Sequence, residues 1–441
     1  MAGDSTPLKV LVAGCAYGGI ATVVNLLDLS LGKSPRGAPN NVPHEAALRG
    51  MPMDIHIVDE RDGYLHLIGC PLAFASKEHA PKFWRKFEDI PALQHPSISW
   101  TRGSITNLDP DRMVAQLTDS KTGDQVEYHY DYFIGATGLK RNFPVVPEQL
   151  THSGYLQETG DHVQAVGDAK DGIVVIGGGA VGVEMAAELK VIQPSAKVTL
   201  IQSRDTLLSA EPLPDEFKKA SLDALREVGV DVILGRGRVV ETTTTKQDDG
   251  SSIQKLTLRD GSHVTANHVI HAVSQQVPCT SYFPPSTLDE EGFVKINNKF
   301  RFLEGHQNDA RHYAIGDIVK WSGIKRCGAA MHMGFLASEN VHKQMLYERD
   351  NVKPEFHEFP EVPPMIALAI GKKAATYGPG MGVQCSEQQM ESFFGEDLGF
   401  TGCWNHLKLS EAPSSAGINL YSVLPQTAPY RDIKTSTAVP A

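Results

Sequence analysis

The chain has 441 residues, of which 41% are hydrophobic and 21% are charged, and its formal net charge is −11. This length predicts about two to four domains, and the composition is that of a folded globular protein rather than a disordered one. The acidic charge argues against nucleic acid as a main partner, because a protein that binds a phosphate backbone needs a basic face.

The six cysteines lie at positions 15, 70, 279, 327, 385 and 403, with no CxxC pair and no group at zinc-ligand spacing. Scattered thiols of this kind predict a cytoplasmic protein in a reducing compartment, with no metal site. No basic region followed by an apolar stretch opens the chain, and glycines interrupt the apolar residues 10–29. We therefore expect no signal peptide and no integral membrane segment.

The first predicted elements are a strand at residues 9–13, a glycine turn at residues 14–19 and a helix at residues 20–31. The turn has the form G-x-A-x-x-G, with Ala16 where a diphosphate comes closest to the backbone. Strand, turn and helix in this order predict a dinucleotide whose diphosphate lies at the helix N-terminus.

An acidic pair ends the next predicted strand, residues 55–58. In a Rossmann unit, an acid at this point binds the ribose about 20 residues after the glycines. The spacing here is roughly twice that, and the Gly-, Pro- and Asn-rich residues 32–53 account for the excess as a surface insertion. Asp59 is the first candidate and Glu60 the second; a solvated carboxylate at a strand end is the alternative.

A second and stronger fingerprint lies in the middle of the chain. The apolar residues 172–176 predict a buried strand, residues 177–182 have the form G-x-G-x-x-G, and residues 183–190 predict a helix. In this motif Gly177 makes the turn, Gly179 admits the diphosphate, and Gly182 lets helix and strand pack closely. The alternative is an ordinary glycine-rich turn between strand and helix.

The other segments predict an alternation of strands and helices. Before the central motif we expect elements at 83–85 (helix), 98–117 with a turn at 121–124 (β-meander) and 130–135 (strand, running into Ala-Thr-Gly). After it we expect elements at 197–201 (strand), 217–228 (helix), 239–258 (hairpin), 268–273 (strand), 278–285 (exposed proline-rich boundary), 312–317 (strand ending in Gly-Asp), 328–346 (helix), 365–370 and 373–377 (strands), a further helix, and a tail at 428–441.

Two dinucleotide turns, with Ala-Thr-Gly before the second and Gly-Asp after it, resemble the flavoproteins with two dinucleotide-binding domains. The resemblance covers about residues 8–345, and the phrase GGGAVGVEMAAELK is most similar to the apoptosis-inducing-factor-like NAD(P)H oxidoreductases. It implies an α/β fold with two Rossmann-like domains and a small α+β C-terminal region. The implied boundaries are 1–160 and 286–360 for a discontinuous FAD domain, 161–285 for the NAD(P) domain and 361–441 for the C-terminal region.

The resemblance also implies the residues that hold each cofactor. The FAD residues come from the first turn, the strand ends that follow it and the start of the helix near 328, whose N-terminus would face the flavin N1/O2 edge. They are Gly14, Ala16, Tyr17, Gly18, Gly19, Asp59, Glu60, Ala136, Thr137, Gly138, Gly316, Asp317, Gly328 and Ala329. The nicotinamide nucleotide would be held by Gly177, Gly179, Gly182 and Arg204.

Four residues are candidates for chemistry or selectivity. Glu184 lies where the family orients the nicotinamide; a glutamate that merely favours a helix N-terminus is the alternative. Arg204 follows a strand that lacks an acid, which favours NADPH over NADH, unless it is a solvated loop residue. Cys70 stands where superfamily oxidases carry a sulfenate, although cysteine is also a common buried residue, and His66 is a candidate proton donor.

The expected activity is hydride transfer from NAD(P)H to FAD, followed by direct electron delivery to a small-molecule acceptor such as a quinone, dioxygen or an organic molecule. Because no paired cysteines exist near the first turn, a disulfide reductase is disfavoured. The short C-terminal region implies a monomer or weak homodimer. The alternatives are a flavin-dependent tailoring enzyme with a dedicated substrate and a cofactor-binding signalling protein with little turnover.

Overall fold

The computed structural model describes residues 6–38, 49–248, 250–273, 276–303 and 305–413. The tail expected at 428–441 lies outside the described residues, and the insertion expected at 32–53 is described only at its two ends. Within these ranges, no helix is both long enough and apolar enough to cross a membrane.

The N-terminal part of the chain forms a parallel sheet that continues into a meander. Its elements are β1 (Leu8–Ala13), α1 (Tyr17–Ser30), β2 (Met53–Asp59), β3 (Gly63–Leu65), α2 (Cys70–Ala73), β4 (Trp84–Lys86), β5 (Ile98–Asp109), β6 (Val114–Asp119), β7 (Gln125–His129), β8 (Tyr132–Gly135), β9 (Leu139–Lys140) and α3 (His152–Gly167). Strand β1 lies between β2 and β8 and is parallel to both, so its apolar side chains are buried on both faces.

The middle of the chain forms a second parallel sheet and a three-stranded antiparallel sheet. Its elements are β10 (Ile173–Ile176), α4 (Ala180–Ile192), β11 (Val198–Gln202), α5 (Asp215–Val228), β12 (Asp231–Leu234), β13 (Val239–Lys246), β14 (Ser252–Leu258), β15 (His263–Ala266), β16 (His268–His271) and β17 (Val277–Pro278). The parallel sheet has the order β12-β11-β10-β16, and the antiparallel sheet has the order β13-β14-β15.

The chain then returns to the first sheet and ends in a small α+β region. The remaining elements are β18 (His312–Ala314), α6 (Cys327–Asp350), β19 (Ile366–Ile370), β20 (Lys373–Gly378), β21 (Gly382–Ser386), α7 (Glu387–Phe393) and α8 (Phe400–His406). Strand β18 pairs in parallel with β8, so the first sheet takes strands from both sides of the second unit. The fold is therefore α/β, with two Rossmann-like units of which the first is discontinuous, as expected.

Helices α1 and α6 cross at glycines. A Cβ atom on Gly334 would lie 2.5 Å from the carbonyl oxygen of Gly18, so the two backbones touch at this point. A Cβ atom on Gly18 would in turn lie 3.3 Å from the carbonyl oxygen of Ala330. This close packing brings the first turn of α6 beside the first turn of α1.

Two predictions from the sequence are wrong. The helix expected at 83–85 is a short 3₁₀ turn, Ala80–Phe83, followed by β4, which pairs with β3 and whose Trp84 donates from Nε1 to Asp62 at 2.8 Å. The proline-rich segment 278–285 marks a boundary, but Tyr282 and Phe283 are buried rather than exposed. The sequence analysis also missed strand β21, which completes the C-terminal sheet.

Candidate functional site

The first glycine turn joins β1 to α1 and requires glycine at both ends. Gly14 has a φ of +85°, and a Cβ atom there would lie 2.7 Å from the carbonyl oxygen of Ala136. A Cβ atom on Gly19 would lie only 1.8 Å from the carbonyl oxygen of Gly14. The residue that caps α1, Ala16, makes no side-chain hydrogen bond to the helix. The N–H groups of the first helical turn therefore meet no capping side chain, which fits a diphosphate at this end.

Asp59 lies beside this turn at the end of β2. One carboxylate oxygen accepts the N–H of Cys15 at 2.7 Å, and the other accepts the N–H of Arg61 at 2.8 Å. Burial raises the pKa of Asp59, while the charge of Arg61 and the two hydrogen bonds lower it. Glu60 is exposed. Of the two candidates for a ribose ligand, the structure brings Asp59 to the turn.

The Ala-Thr-Gly segment forms the joint between the two units. Thr137 donates from its hydroxyl to the carbonyl oxygen of Cys279 at 2.6 Å, and the N–H of Cys279 binds the carbonyl oxygen of Gly138 at 2.9 Å. The antiparallel pair β9–β17 follows at once. The side chain of Thr137 therefore fixes the crossover, and Ala136 contributes backbone to the first turn.

The Gly-Asp segment and the start of α6 were also predicted to belong to the first site. Asp317 follows β18 and forms an ion pair with Arg141 at 3.5 Å, and Lys325 donates to its carbonyl oxygen at 2.8 Å. Gly316 and Asp317 thus follow a strand that pairs with β8. The first turn of α6, which contains Gly328 and Ala329, has no side-chain cap.

The second glycine turn joins β10 to α4 with the same geometry. Gly177 has a φ of +117°, and a Cβ atom on Gly182 would lie 1.8 Å from its carbonyl oxygen. Gly179 caps α4 without a side-chain bond, and a Cβ atom placed on it would meet no atom within 4 Å. This open space at an uncapped helix start fits a second diphosphate.

The strand that follows the second turn ends in an amide rather than an acid. Gln202 accepts the N–H of Gly178 at 3.3 Å and donates to the hydroxyl of Ser209 at 2.9 Å. Arg204 is exposed and lies 3.4 Å from the same hydroxyl. The sequence analysis noted the missing acid, but the contact between Gln202 and the turn appears only in the structure.

Glu184 lies on α4, which packs against α2 of the first unit and β19 of the C-terminal region. Its side chain is buried, and one carboxylate oxygen accepts the N–H of Ala369 at 3.3 Å. Burial raises the pKa of Glu184 to about 8. Glu188, one helical turn later, is also buried, and its pKa rises to about 7. The sequence analysis missed Glu188, although a second glutamate at i+4 on an apolar helix was a visible signal.

Cys70 and His66, the other two candidates for chemistry, are both buried. Burial raises the pKa of Cys70 to about 12, against the lowering influence of Arg61 and Arg141, so a thiol persists at neutral pH. His66 is buried between Tyr17, whose hydroxyl lies 3.1 Å from Nδ1, and the carbonyl oxygen of Leu398, 2.9 Å from Nε2.

Burial lowers the pKa of His66 to about 4, and both ring nitrogens already have protein partners. These two contacts join the first turn to the C-terminal region, and the role of His66 as a proton donor stays a prediction. Among the residues that the structure describes, no three His, Cys, Asp or Glu side chains form a group that could hold a metal ion.

Comparisons with known proteins agree with this arrangement. The family model described as pyridine nucleotide-disulphide oxidoreductase matches residues 44–334. Oxidoreductase OXR1 of Ajellomyces capsulatus is 47% identical over 412 residues, which is 92% of this chain and 89% of that protein. Apoptosis-inducing factor homolog A of Dictyostelium discoideum is 22% identical over 388 residues, covering 84% of each chain.

Solved structures show the same fold at lower identity. The sulfide:quinone oxidoreductase of Aquifex aeolicus superposes with a TM-score of 0.64 at 17% identity, covering 92% of this chain and 93% of that chain. A likeness at this identity concerns the fold and not the substrate.

Proposed function

Because the chain belongs to the pyridine nucleotide-disulphide oxidoreductase family and is an FAD-dependent NAD(P)H oxidoreductase, we propose a role for each of its two glycine turns. The turn before α1 holds FAD, the turn before α4 holds NADPH, and electrons pass from the flavin directly to a small-molecule acceptor. The observation that carries this proposal is the pair of uncapped glycine turns, one on each parallel sheet, with the helix of the second packed against the first unit.

The two cofactors supply the hydride chemistry, and the chain supplies position and environment. Gly14 and Gly19 keep the first turn tight, and Asp59 lies beside it as the acceptor for ribose hydroxyls. Asp317 lies at the end of a strand of the same sheet, in reach of the ribityl or diphosphate part. These residues form one continuous edge at the carboxyl ends of the strands, where α/β folds bind their ligands.

Glu184 is the residue that we propose to orient the nicotinamide. With a pKa of about 8, its carboxyl group is mostly protonated at neutral pH and offers both an O–H donor and an oxygen acceptor. A nicotinamide carboxamide needs both partners. The bond from Ala369 holds the carboxyl group in place, so its second oxygen is fixed in direction.

The acceptor receives its electrons without a thiol relay at Cys70. That thiol is buried and keeps its proton at neutral pH, so it lacks the nucleophilic thiolate on which disulfide and sulfenate chemistry depend. A quinone, dioxygen or a small organic molecule meets the requirement of direct transfer. The nucleotide preference rests on the missing strand-end acid and on the exposed Arg204, which suits a 2′-phosphate.

The test is the visible spectrum of the purified protein, followed by anaerobic mixing with NADPH and, separately, with NADH. We expect a yellow protein whose flavin absorbance bleaches faster with NADPH, and whose colour returns when a quinone or dioxygen is added. A yellow protein that neither nucleotide bleaches would support a flavoprotein reduced by its own substrate, or one that works through partners. A colourless protein that takes up no FAD would contradict the assignment of the first turn.

A further inference from the structure

Further arginines lie at the same edge of the second unit as Arg204. Strand β12 pairs in parallel with β11, with Leu234 opposite Gln202, so the two strands end side by side. Residues 235–238, which follow β12, read Gly-Arg-Gly-Arg, and another arginine follows β14. In a chain whose net charge is −11, this edge is a concentrated basic surface. We call it the arginine patch, and its members are the exposed residues Arg204, Arg236, Arg238 and Arg259.

Backbone contacts hold Arg236 next to Arg204. The N–H of Gly235 donates to the carbonyl oxygen of Gln202 at 3.3 Å and to that of Arg204 at 3.0 Å. Gly235 and Gly237 have φ angles of +72° and +83°, which are left-handed conformations that favour glycine. Arg236 therefore lies in a tight turn whose first residue is bonded to the backbone of Arg204.

The antiparallel sheet fixes the far side of the patch. A Cβ atom on Gly237 would lie 2.7 Å from the Cβ atom of Arg259, so the turn and the end of β14 touch. The N–H of Arg259 donates to the carbonyl oxygen of Arg238 at 3.1 Å. The four arginines thus come from three segments of the chain that are bonded to one another.

The charges of the patch are not neutralised within the protein. No ion pair joins any of its guanidinium groups to a residue in the described part of the chain, and Arg204 donates only to the hydroxyl of Ser209, at 3.4 Å. The carboxylate of Asp205 lies against Gly235 but forms no ion pair with the patch. Several like charges at one edge repel one another, so an anion between them would relieve that repulsion.

The patch adjoins the turn that we propose for NADPH. Gln202 accepts the N–H of Gly178, which places the end of β11 against the second glycine turn. In a Rossmann unit, the end of this strand is where the adenosine ribose is recognised. Strand β12 lies on the side of β11 away from β10, so its terminal turn extends the same edge. The 2′-phosphate that distinguishes NADPH from NADH is a group of suitable charge for this edge.

We propose that Arg236 binds the 2′-phosphate of NADPH together with Arg204, so that two adjacent strand ends form the selectivity site. The inference rests on the proposed use of NADPH and adds a residue from a different strand. A phosphate monoester carries a charge of about −1.5 to −2 and three acceptor oxygens, which is enough for two guanidinium groups. The sequence analysis named only Arg204, because the turn at residues 235–238 is distant from the glycine motif in the chain.

The experiment measures the binding of 2′,5′-ADP and of 5′-AMP to the full-length protein loaded with FAD, by isothermal titration calorimetry. The two probes differ only in the 2′-phosphate. We expect the wild type to bind 2′,5′-ADP about 25-fold more tightly, because each exposed arginine contributes about fivefold. Arg236→Ala should reduce this ratio to about fivefold by weakening the binding of 2′,5′-ADP alone. Arg236→Lys, which keeps the charge but loses the planar fork, should give an intermediate ratio.

Lys255→Ala is the matched control, since it removes an exposed cation from β14 and should keep the wild-type ratio. Unchanged flavin absorbance shows that each variant is folded. A wild type that binds both probes equally would contradict the preference for NADPH and this inference with it. A wild type that prefers 2′,5′-ADP, with an equal preference in Arg236→Ala, would overturn the role of Arg236 alone. An equal loss in Lys255→Ala would also overturn it, because the effect would then belong to the general charge.

Discussion

The two glycine turns of this protein share their geometry and differ in the strand end that lies beside each of them. In each turn, a Cβ atom on the last glycine, Gly19 or Gly182, would lie 1.8 Å from the carbonyl oxygen of the first. Each turn also leads into a helix without a capping side chain. The strand after the first turn ends in Asp59, which accepts a backbone N–H of the turn, whereas the strand after the second ends in the amide of Gln202.

In the proposed function, each turn provides a diphosphate site and the strand end that follows it provides the nucleotide selectivity. A buried carboxylate suits the free hydroxyls of the FAD adenosine ribose, and an amide beside an exposed arginine suits a 2′-phosphate. The third position of the motif differs as well. Ala16 already carries a methyl group, while Gly179 faces open space. Substitutions should separate the contribution of the turn from that of the strand end. We expect the largest losses of cofactor binding where the backbone of a turn is most crowded.

Replacing the last glycine of either turn separates the two sites. Gly19→Ala should abolish FAD binding, and Gly182→Ala should abolish reduction by NADPH while FAD stays bound, because each added methyl group clashes with the backbone of its own turn. Visible absorbance and nucleotide titration measure the two losses. Cofactor binding at the unchanged turn serves as the folding control for each variant, because that turn should keep its cofactor. Loss of FAD from both variants would show that the turns are not independent.

A carboxyl group of the second unit should make stability depend on pH. Glu188 ionises near pH 4.5 when unfolded and near pH 7 when folded, so the free energy of unfolding falls as pH rises between these values and then levels off. Glu188→Gln should remove this penalty, which is about 3 kcal/mol above pH 7. Urea unfolding at pH 5 and pH 8 tests it. A variant that is no more stable than the wild type at pH 8 would contradict the raised pKa.

Glu184 should affect the rate of flavin reduction rather than FAD binding. Glu184→Ala should slow anaerobic bleaching by NADPH about 100-fold, since a displaced nicotinamide loses its alignment. Glu184→Gln should stay close to the wild type because the amide keeps both a donor and an acceptor.

Two controls sharpen this prediction about Glu184. The wild-type rate should fall above pH 8 as Glu184 ionises, and the rate of Glu184→Gln should not. Glu188→Gln, altered one helical turn away, should bleach at the wild-type rate. Equal slowing by both alanine and glutamine at position 184 would indicate a structural role.

Asp59 should decide the affinity for FAD. Asp59→Asn should weaken FAD binding by about 2 kcal/mol, or about 30-fold, because it loses a charged hydrogen-bond acceptor beside the turn. Asp54→Asn is the matched control on the same strand, since its side chain is exposed. Glu60→Asn should also have no effect. If Glu60→Asn weakened FAD binding more than Asp59→Asn, the ribose ligand would be Glu60.

The smallest effect is expected at the second strand end. Arg204→Ala should weaken the binding of NADPH by about 1 kcal/mol, or about fivefold, and leave the binding of NADH unchanged. The effect is small because the arginine is exposed, so solvent screens its contact with a phosphate. Arg226→Ala, an exposed arginine on α5, is the control. Gln202→Glu should shift the preference towards NADH. Equal weakening of NADPH and NADH binding in Arg204→Ala would contradict the role of Arg204 in selectivity.

The sequence predicted the parts of the site that depend on local pattern. A strand, a glycine turn and a helix are neighbours in the chain, so both β1–α1 and β10–α4 were visible, together with Asp59 and Glu184. The sequence left both Asp59 and Glu60 as candidates for the ribose ligand, and the contact with Cys15 that favours Asp59 appears only in the structure.

The missed features depend on contacts between distant residues. The segment at Trp84 forms strand β4 rather than the predicted helix, because pairing with β3 outweighs its local preference for a helix. Tyr282 is buried because it packs against the first sheet near Thr137, which no local pattern of prolines reveals.

The most direct test of the division between the two turns is a crystal structure of the protein with FAD and NADPH bound. We predict the FAD diphosphate at the start of α1 with its ribose on Asp59, and the NADPH diphosphate at the start of α4 with its 2′-phosphate near Arg204. FAD on the turn before α4, or a nicotinamide nucleotide on the turn before α1, would contradict the account.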